Sequence, residues 1–270
     1  MLRSYPLFRA FGIPVRVHGT LLICLPLLAF SMTGDAGFAY FAIAVGLMVS
    51  MFACVLLHEL GHSVAALALG FPVQSITLTP IGGVAALTAM PRNPWHELLI
   101  TIAGPAVNFV LAAIFFVANG LWANVFFSWL VVMNLVLGIF NLLPGFPMDG
   151  GRILRALLAL KLPYVRATRI AATVGQITAF GLGAFGLVEG RIMLVLIAVF
   201  VYFAAGAELR RVTAPPDPIG DQLRRWLAAQ QRMGGTHGSH EPVPPRADRP
   251  AGNSKVVLEV WPNGEIRRRP

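Results

Sequence analysis

His58 and His62 stand four residues apart, with Glu59 beside the first, in the apolar stretch VLLHELGHSVAAL at residues 55–67. On a helix, positions i and i+4 share a face one turn apart. Two imidazoles so placed can bind one zinc ion through their ring nitrogens. Glu59 is rotated to the side, where a carboxylate can reach a metal-bound water without ligating. In a soluble helix the same pattern also occurs as an ion-pairing face. Nothing would solvate such a face here, and ionisable side chains inside an apolar run are rare and mark functional sites.

A catalytic zinc needs a third protein ligand and keeps its fourth position for water. Few acids in the chain qualify. Glu97 and Glu208 lie at segment ends beside His96 and Arg210 and read as interfacial, whereas Asp35 and Glu189 fall on the opposite, outer side. Asp149 remains, in FNLLPGFPMDGGRILRALL, where Pro144 and Pro147 break the chain before a new helix. At that helix N-terminus the dipole favours its anionic form. A plain N-cap is the other reading of the same position. Cys54 lies one turn before His58 on the same face and reads as a packing residue.

The elements that must position these groups are membrane helices. Of 270 residues, 56% are hydrophobic and only 12% charged, with a mean hydropathy of +0.71. A soluble globular protein averages roughly 25% charged residues, so a polytopic membrane protein is expected. The net charge of +9 is not read as a nucleic-acid footprint, because the basic residues flank apolar segments or fill the tail. The two cysteines, Cys24 and Cys54, sit in apolar segments, so no disulfide framework is expected. The basic N-terminus lacks a small-residue cleavage site, and the first apolar run should remain as a span.

Six apolar segments are expected to cross: 20–32, 37–69, 97–118, 122–143, 167–188 and 192–207. Arginines and lysines cluster before the first segment and in alternate loops, while the intervening loops carry only Arg191. Both termini are then cytoplasmic. If the second helix leaves the membrane near Gly70, His62 lies about 12 Å and His58 about 18 Å below that surface at about 1.5 Å per residue. Residues 71–91 are broken by Pro72, Pro80 and Pro91, turn at Gly82-Gly83, and carry β-branched arms. They read as a short hairpin in or against the membrane, or as a re-entrant loop that packs the site. The fold class is therefore all-α and polytopic, with about six transmembrane helices and a small membrane-associated β-hairpin or sheet near the active site. Residues 1–211 form the membrane core. Residues 212–270 are expected to form a cytoplasmic Pro/Gly-rich tail, largely disordered, that could hold a short helix at 222–233 and a terminal hairpin turning at Asn263-Gly264.

Two motifs in this order, HELGH at 58–62 and NLLPGFPMDGG at 141–151, resemble the site-2 proteases, the family of intramembrane zinc metalloproteases. Asn141, Pro144, Asp149 and Gly150 match the second family pattern position by position, and AGPAVN at 103–108 and TPIGG at 79–83 are similar to further family segments. The resemblance spans roughly residues 10–210 and implies specific roles. His58, His62 and Asp149 would ligate one zinc, and Glu59 would be the general base. Asn141 would hydrogen-bond the substrate backbone, and the hairpin at Gly82 and Gly83 would present a strand edge to it. The substrate would be a membrane-embedded protein, of a single-pass type, and the enzyme would work in the cell membrane with its site nearer the cytoplasmic side. Two other classes compete. A metal transporter would need ligands along a path through both leaflets, and the outer half of the spans is almost devoid of them. A metalloprotease with a glutamate ligand would have to recruit Glu208. A catalytically inactive, scaffold-like relative would not need the intact set of ligands and base.

Overall fold

The computed structural model describes residues 3–34, 37–80, 82–87, 93–214, 257–260 and 266–269. The chain divides into two units, Met1–Thr213 and Ala214–Pro270. In the first, two strands, β1 (Ser4–Ala10) and β2 (Ile13–His18), precede two helices, α1 (Gly19–Thr33) and α2 (Phe38–Ala68). Strands β3 (Val73–Thr79) and β4 (Gly82–Leu87) follow. The remaining helices are α3 (Pro94–Trp122), α4 (Val125–Asn141), α5 (Asp149–Ala159), α6 (Tyr164–Val188) and α7 (Ile192–Thr213). In the second unit, β5 (Val257–Val260) pairs antiparallel with β6 (Ile266–Arg269). The expected tail helix at 222–233 and the turn at Asn263-Gly264 lie outside the described residues.

Helices α2, α3, α6 and α7 are long and apolar enough to cross a membrane. Helices α1 and α4 are apolar but have 15 and 17 residues. They span about 23 and 26 Å at 1.5 Å per residue, against a hydrocarbon core of about 30 Å. Among the described residues the structure thus supports four full-length spans by length and composition where six were expected. The chain is an integral membrane protein that is mostly helical. Local capping sets several boundaries: the Asn93 side chain accepts from Trp95 N–H with Pro94 at the first helical position, and Asn124 accepts from Phe126 N–H, each at 2.9 Å.

The hairpin at 73–87 is half of a larger sheet. The strand order is β1-β2-β3-β4, with β2 and β3 parallel and the outer pairs antiparallel. The extra strands have a local cause. In IPVRVH, Ile13, Val15 and Val17 are buried while Arg16 is exposed, the period-2 alternation of a half-buried strand. Ile13, Val17, Ile76 and Leu78 pack on Phe52, Val55, Leu56 and Leu60 of α2. The sheet therefore lies against one side of α2. At about 100° per residue, His58 and His62 face roughly away from Leu56 and Leu60, and Glu59 falls on the flank between the histidines and the sheet.

The break between α4 and α5 is packed rather than loose. Phe146 joins Ala171, Ala172 and Ala205 of α6 and α7, and Met148 joins Ala179 and Val201. These two buried anchors fix where α5 begins, and hence where Asp149 stands.

Candidate metal centre

His58 and His62 project from α2 toward α3, and Asp149 enters from the first turn of α5; all three are buried. His58 Nε2 and His62 Nε2 are 3.1 Å apart, and each is 3.1 Å from Asp149 Oδ2. This is the one group of three or more His, Cys, Asp or Glu among the described residues whose donor atoms converge closely enough to hold a metal ion. Zinc with bonds of about 2.0–2.1 Å in a tetrahedron needs donor atoms roughly 3.3 Å apart, close to the triangle observed. Two imidazole nitrogens and one carboxylate oxygen are a donor set that zinc accepts, and a zinc held by three protein ligands would keep its fourth position for water or substrate. The residues present fit a single zinc.

Backbone closeness makes the cluster possible. A Cβ on Gly104 of α3 would lie 2.3 Å from His62 Cε1 and Nε2 and 2.9 Å from His58 Nε2. The rings lie directly on the glycine backbone. His62 Nδ1 is 2.8 Å from the carbonyl oxygen of Ile100, one turn earlier. A ring N–H there donates to that carbonyl and leaves Nε2 free for a metal.

Glu59 lines the same cavity, of about 790 Å³, and so do Gly82, Gly83 and Asn141. A Cβ on Gly83 would lie 2.4 Å from Glu59 Cγ, so the carboxylate arm runs across β4 where no side chain blocks it. Asn141 donates to the Leu137 carbonyl at 3.0 Å within its own helix. All seven residues singled out from the sequence therefore border one space. Cys54 is not among the donor atoms; its sulfur accepts from Asn134 Nδ2 at 3.3 Å.

Sequence reasoning missed a buried ion network beside the site. Glu97 and Glu208 were read as interfacial, but both pair with Arg155 of α5. Arg155 is 1% exposed and Glu97 3%. The guanidinium donates to Glu97 Oε1 and to Glu208 Oε1, the latter at 2.8 Å, and lies 4.9 Å from the ring centroids of Phe146 and Tyr164. It ties the Asp149 helix to α3 and α7. The signal in the sequence was Arg155 on α5 two turns after Asp149, but its partners are 58 and 53 residues away.

The sequence profile of Peptidase family M50 matches residues 46–123 and 117–182, which include both histidines, Glu59 and Asp149. The chain belongs to this family. A solved site-2 protease from Methanocaldococcus jannaschii is 38% identical and superimposes with a TM-score of 0.59, over 77% of this chain and 96% of that one. A zinc metalloprotease of the same organism is 40% identical over 215 residues, covering 77% of this chain and 61% of its own length. Rip3 of Mycobacterium tuberculosis is 36% identical over 260 residues, covering 85% of this chain and 65% of its own. This M50 chain thus spans about three fifths of the length of the curated relatives it matches.

Proposed function

We propose that this M50 chain is an intramembrane zinc metalloprotease that hydrolyses peptide bonds within or near the transmembrane segment of membrane-protein substrates. One observation carries the reading: donor atoms of His58, His62 and Asp149 meet at 3.1 Å in a cavity that also holds Glu59. These three residues would hold the zinc. Bound there, zinc would supply Lewis-acid polarisation and a water whose pKa is lowered to about 7.

Glu59 is the general base. Its flank position between the histidines and β4 lets the carboxylate take a proton from the attacking water and return it to the leaving amine nitrogen. A peptide bond inside an α-helix is shielded by its own hydrogen bonds, so the substrate must unwind. Strand β4 pairs with β3 along one edge and stands at the end of the sheet order. Its other edge, starting at Gly82 and Gly83, offers replacement hydrogen bonds by β-augmentation. Asn141, which lines the same cavity, hydrogen-bonds the substrate backbone near the scissile bond.

Helices α1 and α4, shorter than the hydrocarbon core, complete a set of six spans by local thinning of the bilayer around them. Both termini and the tail then lie in the cytoplasm, with the metal centre nearer that face of the cell membrane. The substrate is a single-pass protein, entering from the bilayer. Membrane fractions from cells with the wild-type chain and with Glu59→Gln test this together. A single-pass protein should accumulate uncut in the variant, and zinc content should be unchanged. Equal cleavage by both would overturn the assignment; zinc flux into proteoliposomes without cleavage would favour a transporter.

A further inference from the structure

Three residues of α3 spaced by four touch the histidines of α2. The Ile100 carbonyl meets His62, Gly104 makes room for both rings, and Asn108 meets His58. Asn108 is fully buried and brings Nδ2 to 3.1 Å of His58 Nδ1, yet its Oδ1 has no hydrogen-bond partner. A buried amide oxygen is rarely left in that condition.

The ring chemistry explains what it is for. A neutral imidazole carries one proton. His58 Nε2 faces Asp149 Oδ2 and His62 Nε2, so a metal bound in the cluster takes the Nε2 lone pair and the proton resides on Nδ1. Nδ1–H then needs an acceptor. The amide group is nearly symmetric in shape, and a half turn exchanges its oxygen and nitrogen. That turn brings Oδ1 to the place Nδ2 occupies, 3.1 Å from His58 Nδ1, and moves Nδ2 to the unpartnered position. The Nδ1–H of a metal-bound ring, which only the oxygen can accept, selects this orientation.

Resting on the metal-ligand reading above, we propose that Asn108 Oδ1 is the acceptor that holds His58 in its Nδ1-protonated form, with Nε2 aimed at the metal. It does for His58 what the Ile100 carbonyl does for His62. Asn108 touches neither metal nor substrate; it is a positioning residue. A neutral amide performs this role without placing a second anion in an apolar interior.

The test measures zinc rather than proteolysis. Purified full-length protein in detergent is titrated with zinc against a competing chelator. Asn108→Leu, similar in size but unable to accept, should bind zinc about 10–100-fold more weakly than wild type, the usual effect of losing such a partner. Asn108→Asp, which can accept, should recover most of that loss. Equal affinity in wild type and Asn108→Leu overturns the inference, and so does an Asn108→Asp as weak as the leucine variant. Nitrogen NMR of histidine-labelled, zinc-loaded wild type decides independently of whether the variants fold. His58 should show a protonated, slowly exchanging Nδ1 and a metal-shifted Nε2; an unprotonated Nδ1 overturns the proposal. Wild type that takes up no zinc overturns the metal reading and this inference with it.

Discussion

Gly104→Ala sets two physical effects against each other. Alanine is the better helix former, by about 1 kcal/mol, so an isolated α3 would gain stability. In this site the added methyl lies 2.3 Å from His62 Cε1 and Nε2, where ordinary contact begins at 3.4 Å. Either the ring recedes by about 1.1 Å or α3 moves off α2. The helices already meet closely at the adjacent residues, where a Cβ on Gly61 would be 2.7 Å from the Ala103 carbonyl oxygen, and separating them would forfeit that packing. The ring must therefore yield. Metal sites tolerate about 0.2 Å in ligand distance, so His62 is lost or misplaced as a ligand. Overpacking of about 1–3 kcal/mol also more than offsets the propensity gain. Zinc affinity should fall at least about tenfold, as read by chelator competition in detergent, with a modest drop in melting temperature. Gly181→Ala on α6, where a methyl meets nothing within 4 Å, is the control and should bind zinc as wild type does. A Gly104→Ala protein with wild-type zinc affinity would refute the close packing of both rings on α3.

Asp149→Ala should lose bound zinc, measured by metal analysis of purified protein; wild-type content would leave Asp149 as a helix cap alone. In Gly83→Ala the new methyl would sit 2.4 Å from Glu59 Cγ, so zinc should stay bound while the cleavage rate falls by about 10²–10⁴, the range for a displaced general base. Unchanged turnover would separate Glu59 from the β4 backbone. Arg155→Met leaves the Glu97 carboxylate buried without its cation and should destabilise the fold by about 3–5 kcal/mol, seen as a lower melting temperature. Adding Glu97→Gln should recover part of that loss, and a double variant no better than the single would argue against the pairing.

The local half of the site was open to sequence reading. The four-residue spacing of His58 and His62 is a property of one helix, and the placement of Glu59 beside them follows from the same periodicity. The chain break before Asp149 was also legible, because Pro144 and Pro147 act on their own neighbours. The long apolar segments and the hairpin arms were legible for similar reasons, but Gly82 and Gly83, expected at the turn, are the first residues of β4, paired with Thr79 and Leu78. The alternation in IPVRVH is equally local, but its parallel pairing with β3, which makes the small sheet four-stranded, joins segments some sixty residues apart and is a matter of tertiary structure.

Residue types and short-range periodicity thus determined which groups could bind a metal, which turn of which helix carries them, and that the chain belongs in a bilayer. Only the tertiary structure decided that Asp149 comes within 3.1 Å of both imidazoles, 91 and 87 residues away. It alone decided that Arg155 gathers Glu97 and Glu208, and that Ile100, Gly104 and Asn108 line up behind the rings. The physical reason is one of range. Backbone periodicity propagates over a few turns, whereas these meetings depend on how buried side chains such as Phe146 and Met148 set one helix against another.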